Sequence, residues 1–149
     1  MSRWASAVVV VLLLAACGGP VVLDADGAVV LDESGEPIGG NGPVTVRGAP
    51  ECGSDLVAII EVDYPLGNLQ RGESRMYVRD PDAVIPPVEL EAPYDGRSSL
   101  SNDARFTGYE VGPYTIWLGE DSDQYIYLVD GARVEAWPGV TDLECVKGS

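Results

Sequence analysis

From Val44 onward the chain runs in short apolar stretches broken by Pro or Gly, and none sustains the spacing of an amphipathic helix. The pattern predicts an all-β domain. Leu56 to Val62 is a nearly continuous apolar run, as suits a strand covered on both faces, and it stops at Asp63-Tyr64-Pro65. Arg75 to Arg79 alternates, with Met76 and Val78 opposite Arg75, Tyr77 and Arg79, and ends at Asp80-Pro81. Asp130-Gly131, between residues 124–129 and 132–137, is the short-range signal of a hairpin with a type I′ turn. That turn pairs Tyr127 with Val134 and Leu128 with Arg133. It puts Tyr125, Tyr127, Val129, Val134 and Ala136 on the face expected to be core, and Ile126, Leu128, Arg133 and Glu135 on the other. Tyr114 to Leu118 makes a third strand of this meander through the acidic loop 119–123, and Pro138 is expected to end it.

The N-terminus follows different rules. Met1-Ser2-Arg3 gives a short positive start, residues 7–16 are apolar but too few to span a bilayer, and Leu14-Ala15-Ala16-Cys17 closes the run before Gly18-Gly19-Pro20. This stretch resembles a bacterial lipoprotein signal. The resemblance implies that Cys17 takes a diacylglyceryl group, that residues 1–16 are removed, and that the exported chain is held by lipid on the outer face of the bacterial cell membrane. A cut at Ala15-Ala16 with Cys17 left free, or an uncleaved apolar N-terminus, are the competing readings.

Residues 17–43 read as the lipidated cysteine and a Gly- and Asp-rich tether, and residues 44–149 as one domain. Within the tether Val21-Val22-Leu23-Asp24 recurs as Val29-Val30-Leu31-Asp32, with Gly27 and Gly35 following in step. Apolar triplets between Asp-rich turns suggest a hairpin or arm that docks on the domain. If free, the tether would stand the domain about 25–30 Å from the lipid. Asp24-Ala25-Asp26-Gly27 begins like a calcium loop but lacks the glycine and glutamate that the later positions require.

Charge narrows the partners. The chain has 24 Asp and Glu against 9 Lys and Arg, for a net charge of −15. Such a surface repels phosphate backbones, which argues against nucleic acid and favours cationic partners or metal ions. Cys52 and Cys145 remain once Cys17 is the anchor, and in an exported chain an even pair reads as a disulfide stapling the domain. A free thiol pair or a two-cysteine metal site are the alternatives, the latter without histidine companions because the chain has none. Absence of histidine also removes Ser-His-Asp and Cys-His chemistry. A serine–lysine arrangement is left only Lys147, near the end of the chain, and Gly39-Gly40-Asn41-Gly42 lacks the lysine of a phosphate loop.

Carboxylates and aromatics remain. Glu89 and Glu91 would share one strand face about 6.5–7 Å apart, a spacing used in glycoside hydrolysis, although an acidic chain yields such pairs by chance. Glu120, Asp121 and Asp123 are weak candidates for calcium, with simple solvation the alternative. Seven Tyr and three Trp against one Phe favour amphipathic faces, and Trp117, Trp137, Tyr109 and Tyr114 are the candidate contact surface. Arg75-Met76-Tyr77-Val78-Arg79-Asp80-Pro81-Asp82, Ala92-Pro93-Tyr94, Asp103-Ala104-Arg105, Thr107-Gly108-Tyr109, Trp117-Leu118-Gly119-Glu120-Asp121 and Val134-Glu135-Ala136-Trp137-Pro138 resemble small actinobacterial exported lipoproteins, over Cys52 to Cys145. The resemblance implies an exported, disulfide-linked domain and no catalytic residue. The expected function is a non-enzymatic envelope lipoprotein without a cofactor, binding or scaffolding an envelope protein or glycan. A carboxylate-dependent hydrolase of cell-wall glycans is the alternative.

Overall fold

The computed structural model describes residues 23, 29–31, 33, 40–49, 52–54, 56–85 and 99–143. Among these the protein is all-β, and no helix is long and apolar enough to cross a membrane. A two-residue strand β1 (Gly40–Asn41) precedes β2 (Val44–Gly48), β3 (Ala58–Asp63), β4 (Ser74–Arg79), β5 (Arg105–Val111), β6 (Tyr114–Leu118), β7 (Tyr125–Asp130) and β8 (Arg133–Val140). They form one antiparallel sheet in the order β1-β2-β3-β4-β8-β7-β6-β5.

The sheet curls so that one face becomes an interior. Val44, Val46, Ile60, Val62, Tyr77, Val111, Ile116, Ile126, Leu128 and Trp137, drawn from seven strands, belong to a single buried cluster. The two ends of the sheet approach each other, since a Cβ on Gly42 beside β2 would lie 3.2 Å from the Tyr109 ring on β5. The convex face is covered in two patches. Ala49, Cys52, Val57 and Ile85 close over Ile59, Val78 and Val140, while Leu100 and Ala104 close over Tyr127 and Ala136. The apolar run predicted as a doubly covered strand is therefore β3, with Ala58, Ile60 and Val62 inside and Ile59 beneath the covering loops.

The C-terminal hairpin departs from expectation in register and in face. Asp130 pairs Arg133, so Gly131 (φ 56°) and Ala132 are the central residues, with Gly at the first position as in a type II′ turn. Tyr127 consequently pairs Ala136, a slip of two that leaves side-chain faces unchanged. The main core takes the face of Ile126 and Leu128, not that of Tyr125 and Val129, and Tyr127 and Ala136 lie in the smaller outer cluster. Charges at Arg133 and Glu135 made this inner face look polar. Glu135 is paired inside, being 5% exposed and accepting from Arg79 Nε at 3.2 Å and from Trp137 Nε1 at 3.2 Å, while exposed Arg133 reaches it through Nη2.

Pro138 does not end the strand. Gly139 N donates to Gln124 O, so the proline nitrogen points toward β4, where pairing covers only Gly139 and Val140. A missing donor there breaks no ladder bond. The arm also joins the fold, because Leu23 is buried in the main core and forms an antiparallel bridge with Val29. Leu23 of the first Val-Val-Leu-Asp copy thus meets Val29 of the second. Cys17, Glu89, Glu91 and Cys145 lie outside the described residues.

Removing the Glu135 carboxylate takes one partner from the buried Arg79 guanidinium and the acceptor from Trp137 Nε1. We expect Glu135→Ala to lose about 3–5 kcal/mol in urea unfolding, because breaking a buried pair from one side costs more than the pair contributes. A loss below about 1 kcal/mol would mean the pair is solvated.

Candidate functional site

β5 ends the sheet order, and its convex face is where large apolar surface stays open. Phe106 is 47% exposed and stands cross-strand from half-buried Trp117, with ring centroids 6.0 Å apart and tilted 39°. Trp117 is fixed by its Nε1 donating to Thr115 Oγ1 at 2.9 Å. Beyond Phe106 the register shifts before Glu110, and Thr107 Oγ1 donates to Ile116 O at 2.9 Å. This bulge bends the edge away from regular pairing.

Next to these rings lies an open cleft of about 500 Å³ between the β3–β4 loop and the β5–β6 end of the sheet. Leu66, Leu118 and Phe106 give it apolar walls, and Asn68, Asp103, Arg105 and Glu120 give it polar groups of both signs. Glu120 N donates to the Asp103 carboxylate, and this bond holds Asp103 below its ordinary value.

The acidic loop after β6 is held from several sides. Asp121 accepts the Tyr127 hydroxyl and, at 3.3 Å, the Ser101 hydroxyl. Its carbonyl receives Gln124 N at 2.8 Å and Tyr125 N at 2.9 Å. Arg75 Nη1 donates to Ser122 O at 2.8 Å and to Asn68 Oδ1 at 2.9 Å, and the Tyr77 hydroxyl also donates to Ser122 O. Gly119 is where the parts crowd: a Cβ would stand 2.5 Å from Ser101 Oγ, 2.9 Å from Asp103 Oδ2 and 3.0 Å from Asp121 Oδ1. Among the described residues no group of three or more acidic or cysteine side chains is placed to hold a metal. The Asp121 carboxylate fastens the loop, while Glu120 and Asp123 are exposed.

The predicted aromatic surface divides between two faces. Trp137 is 0% exposed and Tyr114 3%, so both are core residues and neither can form a contact surface. Tyr114 carries the Arg133 guanidinium 5.8 Å from its ring centre, and burial followed by the Glu135 charge pushes its phenol up. Tyr109 is half-buried against the same interior. Trp117 alone points to the convex side, since positions 114 and 117 on one strand fall on opposite faces. Its neighbour Phe106 was missed, though the lone phenylalanine of the chain was a signal in plain view. The chain matches no protein family, no curated protein and no solved structure.

Burial pushes the Tyr77 phenol from 10.0 up to about 12. A pKa raised on folding contributes stability that is present below pH 10 and is lost as the pH rises through 12. We expect stability to fall by about 2–3 kcal/mol over that window. In Tyr77→Phe the fall should largely disappear, with Arg75 still donating to Ser122 O. Chemical denaturation at stepped alkaline pH reads this directly, and an unchanged slope in the variant would refute the assignment.

Proposed function

We propose that this protein is a non-enzymatic, lipid-anchored module of the bacterial cell envelope whose cleft beside Phe106 and Trp117 takes a neutral glycan. The observation that carries the reading is an exposed phenylalanine, backed by half-buried Trp117, at the lip of a cleft mixing apolar walls with donors and acceptors. A sugar ring is an apolar C–H face rimmed by hydroxyls that both donate and accept. Asn68 and Arg105 supply donors, Asp103 and Glu120 acceptors, and Phe106 a flat apolar face. The chain's charge of −15 disfavours an anion, and Asp103, Arg105 and Glu120 give the cleft both signs, which suits hydroxyls that donate and accept.

The anchor rests on Leu14-Ala15-Ala16-Cys17, and the absence of histidine supports a binding rather than a catalytic role. Similarity to actinobacterial exported lipoproteins belongs to the same proposal. The staple between Cys52 and Cys145 is part of the same proposal and rests on the even pair of cysteines left once Cys17 is the anchor. Closing a loop of roughly 90 residues would contribute about 4–5 kcal/mol in the chain-entropy account.

Titration with neutral hexose and N-acetylhexosamine oligomers, followed by tryptophan fluorescence, tests the cleft. Phe106→Ala should weaken binding about tenfold at unchanged thermal stability. Binding that survives the substitution, or no binding by any neutral oligomer, would reject the site. Mass spectrometry of membrane-extracted protein tests the anchor, and the mature chain should begin at diacylglyceryl-Cys17. A different first residue or an unmodified Cys17 refutes it.

A further inference from the structure

Leu23 is 4% exposed within the main core, Val29 packs against that core, and the two residues form an antiparallel bridge. A stretch without aromatic residues, spaced like a linker, thereby supplies a core side chain. Cys17 precedes Leu23 by six residues. Because an extended chain gains at most about 3.3–3.6 Å per residue, anchor and domain can separate by no more than about 20 Å while Leu23 stays seated. A flexible leash of that length has an r.m.s. span of about 13 Å. With Leu23 released, 23 residues separate Cys17 from Gly40. The r.m.s. span then doubles to about 26 Å, and the contour reaches about 80 Å.

We propose that Leu23 and Val29, seated on the main core, act as a clasp that shortens the tether to a six-residue leash from Cys17 and holds the domain against the lipid headgroups. Any partner of this domain must then reach the membrane surface. The inference rests on the lipid-anchor reading of Cys17. The clasp is separable from the sheet: among the described residues it offers one buried side chain, one half-buried one and a bridge, while Leu31 is 42% exposed. Elements with so few buried contacts open more readily than the strands they cover.

Two measurements on the full chain separate the clasp from the anchor. Hydrogen exchange on the Cys17→Ser protein should find the bridged residues Leu23 and Val29 protected, and protection should vanish in Leu23→Ser/Val29→Ser. An unprotected arm overturns the proposal whatever the state of Cys17. Neutron reflectometry of the lipidated chain on a supported bilayer should place the protein layer within about 20 Å of the headgroups, and about twofold further out in the double variant. A protected arm on a chain without lipid at Cys17 overturns the anchor reading and the leash with it.

Should the double variant lose its near-ultraviolet circular dichroism, twelve Gly and Ser residues inserted between Pro20 and Val21 serve instead. A clasped domain then moves outward about 1.7-fold, against about 1.2-fold for a free tether. The smaller displacement sinks the proposal.

Discussion

A sheet without helices has two faces to bury and only itself and its loops to bury them with. In this chain that constraint is met by curling. The concave side closes on residues from seven strands, and the convex side is covered by loop segments around Cys52, Ile85 and Ala104. Curling brings β5 toward the β1–β2 turn, so the ends of the strand order become neighbours in space. It also turns Arg79, Glu135 and Trp137 into interior residues. Charges on strands of a flat sheet could point to water; inside a curled one they must satisfy each other.

The same geometry explains the upper end of the molecule. The β3–β4 loop comes to face the acidic loop after β6 only because the sheet has bent, and the contacts made there are long in sequence. Tyr77 and Arg75 on β4 donate to Ser122 O, and Ser101 and Asp103 crowd against Gly119. Of the carboxylates that look like a metal cluster when read in a line, Asp121 fastens the loop, with Asp103 from outside the run. Asp121 engages Tyr127 and Ser101, and Asp103 engages the Glu120 backbone.

What was legible in the sequence followed from local rules. Alternation at Arg75–Arg79, the apolar run ending at Asp63, and strand β6 all depend on period and turn chemistry, and they stand within one or two residues of where they were read. The hairpin register slipped because Asp-Gly can occupy the central positions or straddle them, and only pairing with Pro138 and Ala136 decides which. The core face was misjudged because Arg133 and Glu135 outweighed Trp137 in a reading without partners, whereas Arg79, 56 residues away, makes that face apolar enough to bury. Strand β5 was obscured by its bulge, where Gly108 (φ 88°) interrupts the alternation. No local pattern could have seated Leu23 in the core, although the repeat that pairs with itself foreshadowed the arm.

Sorting residues by what the curl requires leaves a short remainder. Trp137, Tyr114, Tyr77 and Tyr127 are consumed by the interior and its covering patches, each buried and tied to a specific partner. Among the described residues the exposed large apolar side chains are Leu31, Tyr64 and Phe106. Leu31 belongs to the arm, Tyr64 directly precedes Pro65 of the cleft lining, and Phe106 is itself in the cleft wall. Single exposed hydrophobics need no explanation, but an exposed phenylalanine that both lines a concavity and stands against fixed Trp117 does. Phe106 belongs to none of the three buried clusters, and contact with a molecule outside the chain is the role we propose for it.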